Sequence, residues 1–231
     1  MPMVSDARSS DKQISHTFRL SECARGWLGT KGGDGETRGS SVLNGLHMPQ
    51  IPQKPLRPFR LSGPEMTAEQ ADLVKRIVEG PRKDLPVNME MWLHSPRFAV
   101  LANDFAEHVG HVAPKTKRLK EIAILVVASG LNSDFEWFWH ERLSRQLGLT
   151  QEQLSALKKG SPCLFENEVE QVTCDLARAM VMRQGVDQAL HDRAVRLLGR
   201  DGVSELIGLL GLYVMVAYSI DFYDVAVPAS P

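Results

Sequence analysis

Cysteine is scarce in this chain: it has 3, Cys23, Cys163 and Cys174, and no two stand in a CxxC arrangement. An odd, dispersed set excludes a disulfide framework and a four-cysteine zinc site, and a reducing cytoplasm is the expected compartment. Charge of one sign is missing as well. With 27 basic and 28 acidic residues the formal net charge is -1, so no whole-chain field draws nucleic acid or an anionic membrane, and neither is expected as a partner. Long apolar runs are absent too. The longest uncharged apolar stretch, Leu206 to Ile220, is bounded by Glu205 and Asp221 and falls short of the ~20 residues of a membrane-spanning helix. It reads as a buried helix. No apolar core of signal-peptide type is present in the N-terminal region, so export is not expected.

Large apolar residues are sparse in residues 1–47, where SDARSSDK and GTKGGDGETRGSS alternate with little periodicity. Such a segment cannot bury enough surface to offset the entropy of ordering it. Its glycines lack the GxxxxGK[ST] spacing of a phosphate loop, and no apolar strand precedes them. Residues 1–47 are therefore expected to form a disordered, dispensable extension, and residues 48–231 a single helical domain entered through the proline-rich PQIPQKPLRP.

Alternating strand patterns are also lacking, whereas helix punctuation is abundant. Thr67 to Gln70 and Thr150 to Gln153 have the form of capping boxes, and Ser95-Pro96 pairs an N-cap with a first-turn proline. Gly80, Gly110, Gly130, Gly148, Gly185 and Gly199 fall where left-handed C-terminal caps are useful. The pattern predicts an all-α protein of about eight helices, near 66–79, 96–109, 115–129, 134–147, 151–158, 166–184, 188–198 and 203–222.

Aromatics make up only 6% of the chain, yet four of them crowd into SDFEWFWH, Ser133 to His140. On a helix starting near Ser133, Glu136, His140, Leu143 and Leu147 share one stripe, predicted to be core in its lower half. A carboxylate and an imidazole continue that stripe upward. Buried, they require partners and form a candidate acid/base site; exposed, they are an i, i+4 surface pair worth ~0.2–0.5 kcal/mol. Trp139 flanks the stripe, and Trp137 and Phe138 are expected on a face available for an oligomer contact. In KTKRLKEIAILVVASG, Glu121 precedes a run apolar on every side, so this helix is predicted to be central and antiparallel to the next. Arg118, one turn before Glu121, could pair with it. Ser133 reads as the helix N-cap. HERLS at His140 lacks the second histidine of a zinc-protease motif, and no metal site is expected.

RLKEIAILVVASGLNSDFEWFWHERLSRQLGLTQEQLSAL resembles the signature of the carboxymuconolactone decarboxylase family, whose all-helical fold is shared with the alkylhydroperoxidase D proteins. The similarity extends from about Leu56 to Pro228, through MWLHSP and the apolar SELIGLLGLYVMVAYSIDFYDV. In the peroxidase branch a CxxC pair precedes the histidine; here Ser133 and Glu136 stand at the two cysteine positions, with His140 and Glu121 matching the histidine and glutamate. The dithiol needed for peroxide chemistry is thus missing, and an antioxidant peroxidase is the least favoured reading. The resemblance implies cofactor-free acid/base chemistry on a small lactone or carbonyl acid. His140 would be the proton donor and acceptor, Glu136 its modulator and Glu121 a relay. Arg118, Ser133 and Trp139 are the candidate substrate contacts. It further implies a homo-oligomer, trimer or hexamer. A non-catalytic oligomeric binding subunit is the alternative, to be separated by whether Glu136, His140 and Glu121 converge under an apolar roof.

Overall fold

In the computed structural model, the described residues are 60–228, apart from 62, 81–82 and 113–115. The expected extension over residues 1–47, the proline-rich entry and Cys23 lie outside them. Eight α-helices carry the described fold: α1 Ala68–Glu79, α2 Val87–Trp92, α3 Pro96–Glu107, α4 Lys117–Gly130, α5 Asp134–Gln146, α6 Gln151–Lys158, α7 Glu168–Val181 and α8 Gln188–Tyr223. No strand occurs among the described residues, in keeping with the all-α expectation.

Local chemistry sets the helix starts. Both capping boxes form, with Thr67 and Thr150 accepting from the backbone of Gln70 and Gln153 while each glutamine reaches back. Thr116, Asn167 and Asp187 cap α4, α7 and α8 in the same manner. Pro96 opens α3 behind Ser95, though the serine side chain makes no cap bond.

Two elements differ from the sequence expectation. The short α2, VNMEMW, was not expected, because six residues are too few to display a helical period; it exists because Met89, Met91 and Trp92 bury. Residues 188–198 and 203–222 run on as one helix, kinked at Gly199, whose φ of 80° only glycine adopts without strain. Of the six proposed glycine caps, Gly148, Gly185 and Gly199 take positive φ. Gly80 stays at φ -72°, Gly110 sits in a π-helical turn, His108–Val112, and beyond Gly130 the left-handed position is filled by Asn132.

The centre of the described helices is α4. Every residue from Glu121 to Ala128 is buried, and α5, α6, α7 and α8 all pack against this helix. A helix apolar on all sides satisfies its surface only when neighbours surround it. The apolar α8 supplies one wall, burying Leu206, Leu209, Leu210, Leu212, Val216, Ala217 and Ile220. By length and composition α8 could cross a membrane. Through Gly208 it reaches the end of α3 and the π-helical turn after it, where an added Cβ would come 3.4 Å from Phe105 and 3.1 Å from Val109.

Gly130, at the end of α4, is a tighter contact. A Cβ there would lie 2.5 Å from Cγ1 of Val181, a stiff β-branched side chain. The expected outcome for Gly130→Ala is a loss of about 1–2 kcal/mol, the overpacking cost exceeding the gain in helix propensity. Urea denaturation checks this, and a second substitution, Val181→Ala, should relieve the clash.

Candidate active site

Glu121 on α4 and Glu136 on α5 converge on the imidazole of His140. The His140 Nδ1 lies 2.6 Å from Glu121 Oε2, and Nε2 lies 3.4 Å from Glu136 Oε2. Side-chain exposures of 12%, 5% and 9% for His140, Glu121 and Glu136 take the cluster out of bulk water. The two helices run antiparallel across the turn at Leu131–Asn132, which leaves Glu121 and His140 about three residues, ~4.5 Å, out of level. The glutamate side chain spans that offset.

Burial is the largest single influence on His140 and disfavours its charged form. Hydrogen bonds and Coulombic attraction from Glu121 and Glu136 outweigh it, and the pKa is raised from 6.5 to about 9. At neutral pH the group is an imidazolium that donates from Nδ1 to Glu121, while its Nε2–H is directed to the longer Glu136 contact. Tyr213 of α8 meets the ring edge-on, centroids 5.1 Å apart.

Glu136 and His140 form one side of a cavity of about 530 Å³. Leu85, Phe135, Trp139, Leu212, Tyr213 and Val216 give it largely apolar walls, and Arg60, Asp84, Glu90 and Lys120 add charge. Glu121 lies behind His140 rather than on the wall. Arg60 pairs with Glu90 at 2.7 Å.

Of the expected substrate contacts, Trp139 lines the cavity, while Arg118 and Ser133 do not. Arg118 does not pair with Glu121. Its Nε donates to Glu170 of α7 at 2.6 Å and its Nη1 to the Leu147 carbonyl at 2.8 Å, so it ties α4 to α7 and to the end of α5. Ser133 holds the N-cap position, but its buried hydroxyl finds no hydrogen-bond partner among the described residues. The stripe also needs correcting. Leu143 is 44% exposed, while Ser144 and Trp137 are buried. The buried residues of α5 are Phe135, Glu136, Trp137 and Ser144, with the His140 side chain 12% exposed between them. Trp137 is no exposed oligomer contact: its indole donates to Glu141 and lies under the Lys158 ammonium.

Sequence reasoning passed over Lys120, Arg60, Asp84, Glu90 and Tyr213. Lys120 stands in the basic run KTKRLK and Tyr213 in the apolar stretch Leu206 to Ile220, where neither carries a signal of its own. The only signal available was the adjacency of Lys120 to Glu121. No group of three or more histidine, cysteine, aspartate or glutamate side chains suited to a metal is found among the described residues. Cys163 and Cys174 are buried away from the cavity wall.

No family model and no curated protein matches the chain. Solved structures do. The debrominase Bmp8, in a Cys-to-Ala variant complexed with 2,3,4-tribromopyrrole, superposes with a TM-score of 0.58 at 13% identity, over 74% of this chain and 91% of its own. An uncharacterised peroxidase-related protein from Silicibacter sp. TM1040 gives 0.59 at 13% identity, over 75% of this chain and 92% of its own. The chain has an alkylhydroperoxidase D-like fold. Within that fold the Glu121–His140 contact joins the central helix α4 to its antiparallel neighbour α5.

Because the folded pKa of His140 is above its unfolded value, the imidazolium stabilises the fold fully below about pH 6.5 and this contribution is lost as pH rises through about 9. The total is ~3 kcal/mol, and the stability difference between wild type and His140→Gln should shrink by that order across the window. Urea titrations at pH 6, 7.5 and 9.5 measure it, and an unchanged difference would contradict the paired imidazolium.

Proposed function

We propose that this chain is a cofactor-free acid/base enzyme, a carboxymuconolactone decarboxylase-like carbon–carbon lyase acting on a small lactone or carbonyl carboxylic acid. The observation that carries the reading is His140, held by Glu121 on one ring nitrogen and opening toward the cavity, beside Glu136, with the other. In decarboxylation the carbon–carboxylate bond breaks, CO2 departs, and the electron pair passes into the conjugated carbonyl. The Nε2–H of the imidazolium then delivers a proton to carbon, and water restores the proton to the ring. Glu121 is a positioning residue, fixing the ring and favouring its charged form; Glu136 shares the Nε2 proton and steadies it until transfer. The apolar walls exclude water, which strengthens these interactions. Bmp8, of the same fold, is solved with a small unsaturated ring, a ligand of the size this cavity admits.

The convergence of the three side chains beneath apolar walls favours this enzyme over a non-catalytic binding subunit. A thiol peroxidase gains nothing from the described residues. Desolvation raises the thiols of Cys163 and Cys174, the latter to about 12, whereas peroxide attack requires a thiolate.

Self-association as a trimer or hexamer belongs to the same proposal, on a different face from the one first expected. Phe98 of α3 and Tyr218 and Phe222 of α8 are exposed along one groove, with Leu101 and Ile207 exposed on the same two helices. Sedimentation should show a trimer or hexamer that Phe222→Glu converts to smaller species.

The chemistry is tested by incubating a panel of lactone acids and carbonyl acids with the protein in D2O, following CO2 release and deuterium incorporation by NMR. A turned-over acid should acquire one deuteron at the carbon that loses CO2. His140→Gln should lower kcat by ~10²–10⁴-fold, the usual range for a general acid. The rate should hold through neutral pH and fall as pH passes about 9, where the imidazolium is lost. Turnover unaffected by His140→Gln would overturn the proposal.

A further inference from the structure

Two buried thiols that the proposed chemistry leaves unused, Cys163 and Cys174, are brought to one place by the fold. Between α6 and α7 the chain crosses as a strap, residues 160–165, whose backbone is tied down by side chains of α7. At one end Arg178 donates to the Gly160 carbonyl at 2.7 Å and to the Ser161 carbonyl. At the other, Gln171 donates to the Cys163 carbonyl at 3.2 Å and accepts from the Phe165 N–H at 2.9 Å. The helical rise from Gln171 to Arg178 is ~10.5 Å. An extended chain covers ~11 Å between the same ties, so the strap lies along the helix, antiparallel to it.

Gln171, Cys174 and Arg178 stand at i, i+3 and i+7 on one face of α7, which puts the Cys174 side chain under the strap, between its two ties. Cys163 is at the Gln171 end, and its thiol donates to the Gln153 carbonyl of α6 at 3.7 Å. Electrostatics register the same proximity. Burial first, and then the neighbouring Cys163 thiol, push Cys174 up to about 12; burial raises Cys163 as well, and Arg178 opposes the rise at both. The two differ in access. Cys174 is enclosed within α7 at 0% exposure, whereas Cys163 belongs to a segment outside the helices, between exposed Pro162 and a Leu164 that is 82% exposed.

We propose that Cys163 and Cys174 are a reversible disulfide pair that staples the strap to α7, closed by low-molecular-weight disulfides of the glutathione class. This goes beyond the proposed function and does not rest on it. As the strap lifts, the Cys163 thiol loses its proton to water and attacks one sulfur of the oxidant; that S–S bond breaks and one thiolate leaves with the electron pair. Cys174, losing its own proton, then attacks the Cys163 sulfur of the mixed disulfide and expels the second thiolate. Two protein thiols are oxidised, one small disulfide is reduced to two thiols, and the two protons pass through water to the leaving thiolates. Burial keeps both groups as thiols under the closed strap, so the exchange is slow and follows local opening. Neither cysteine lines the cavity, so the staple acts on the α6–α7 connection rather than on the His140 site.

The test uses the full chain, incubated overnight at mildly alkaline pH with oxidised glutathione, folded in one arm and in concentrated urea in the other, then blocked with iodoacetamide. Cleavage after Glu166, Glu168 and Glu170 separates the two cysteines in sequence, so mass spectrometry reads the staple as a Cys163 peptide joined to a Cys174 peptide. The folded protein should give the joined peptides as its main product, dithiothreitol should release them, and closing the staple should raise Tm by ~5–10 °C, as expected for a short closed loop in a domain of this size. Cys163→Ser and Cys174→Ser should each abolish both the joined peptides and the rise, and Cys23→Ser neither. Joined peptides that form in urea but not in the folded chain, glutathione left standing on Cys163 without transfer to Cys174, or a joined protein whose Tm does not rise would each overturn the staple.

Discussion

A charged imidazole can be buried only where carboxylates meet it, and carboxylates can be buried only where a cation meets them. The contact between His140 and Glu121 satisfies both requirements across the α4–α5 pair. It also explains why α4 interrupts its buried apolar face with Glu121 among residues as fully enclosed as Ile122, Ile124 and Leu125. Removing His140 would leave the Glu121 carboxylate buried in α4 without its cation, and removing Glu121 would leave the imidazolium with only the longer Glu136 contact, which makes this contact structural as well as chemical.

The asymmetry of the two contacts divides the roles. The short Nδ1 contact with Glu121 holds the ring from behind, while the longer Nε2 contact with Glu136 lies on the cavity side. In the proposed chemistry, a donor bound loosely on its cavity side and firmly on the other keeps its orientation after the proton leaves. The edge of Tyr213 and the neighbouring Leu212 and Val216 bring α8 into the same wall, so the apolar C-terminal helix contributes to the site's dielectric as well as to the core.

Much of this was legible in the sequence. Threonine capping boxes are local chemistry and formed where their residues stand, and the continuous apolar run of α4 announced a central helix. Glu136 and His140 could be singled out because polar groups on a core-facing pattern demand partners, and Glu121 through its place before the apolar run of α4 and the family resemblance. What could not be read depends on neighbours far along the chain. Leu143 fits the predicted stripe but emerges into solvent, because α5 rotates toward Trp137 and Ser144 where Lys158 and Glu141 complete the indole's surroundings. Arg118 and Lys120, two positions apart in one basic run, turn to opposite tasks, since helix geometry directs one to α7 and the other to the cavity. The alternation of charge alone does not distinguish them.

The tethers of α5 carry a further consequence. At its start, the Ser133 N–H bonds to the Ala128 carbonyl at 2.8 Å; past its end, the Leu147 carbonyl accepts from Arg118 of the same neighbouring helix. The helix resembles a beam clamped to α4 at both ends, with His140 near mid-span. Sliding or rolling it would require both clamps to release together. Heat should therefore leave the imidazole registered against Glu121 until the helix pair itself separates, making the site among the last features to lose its geometry rather than the first.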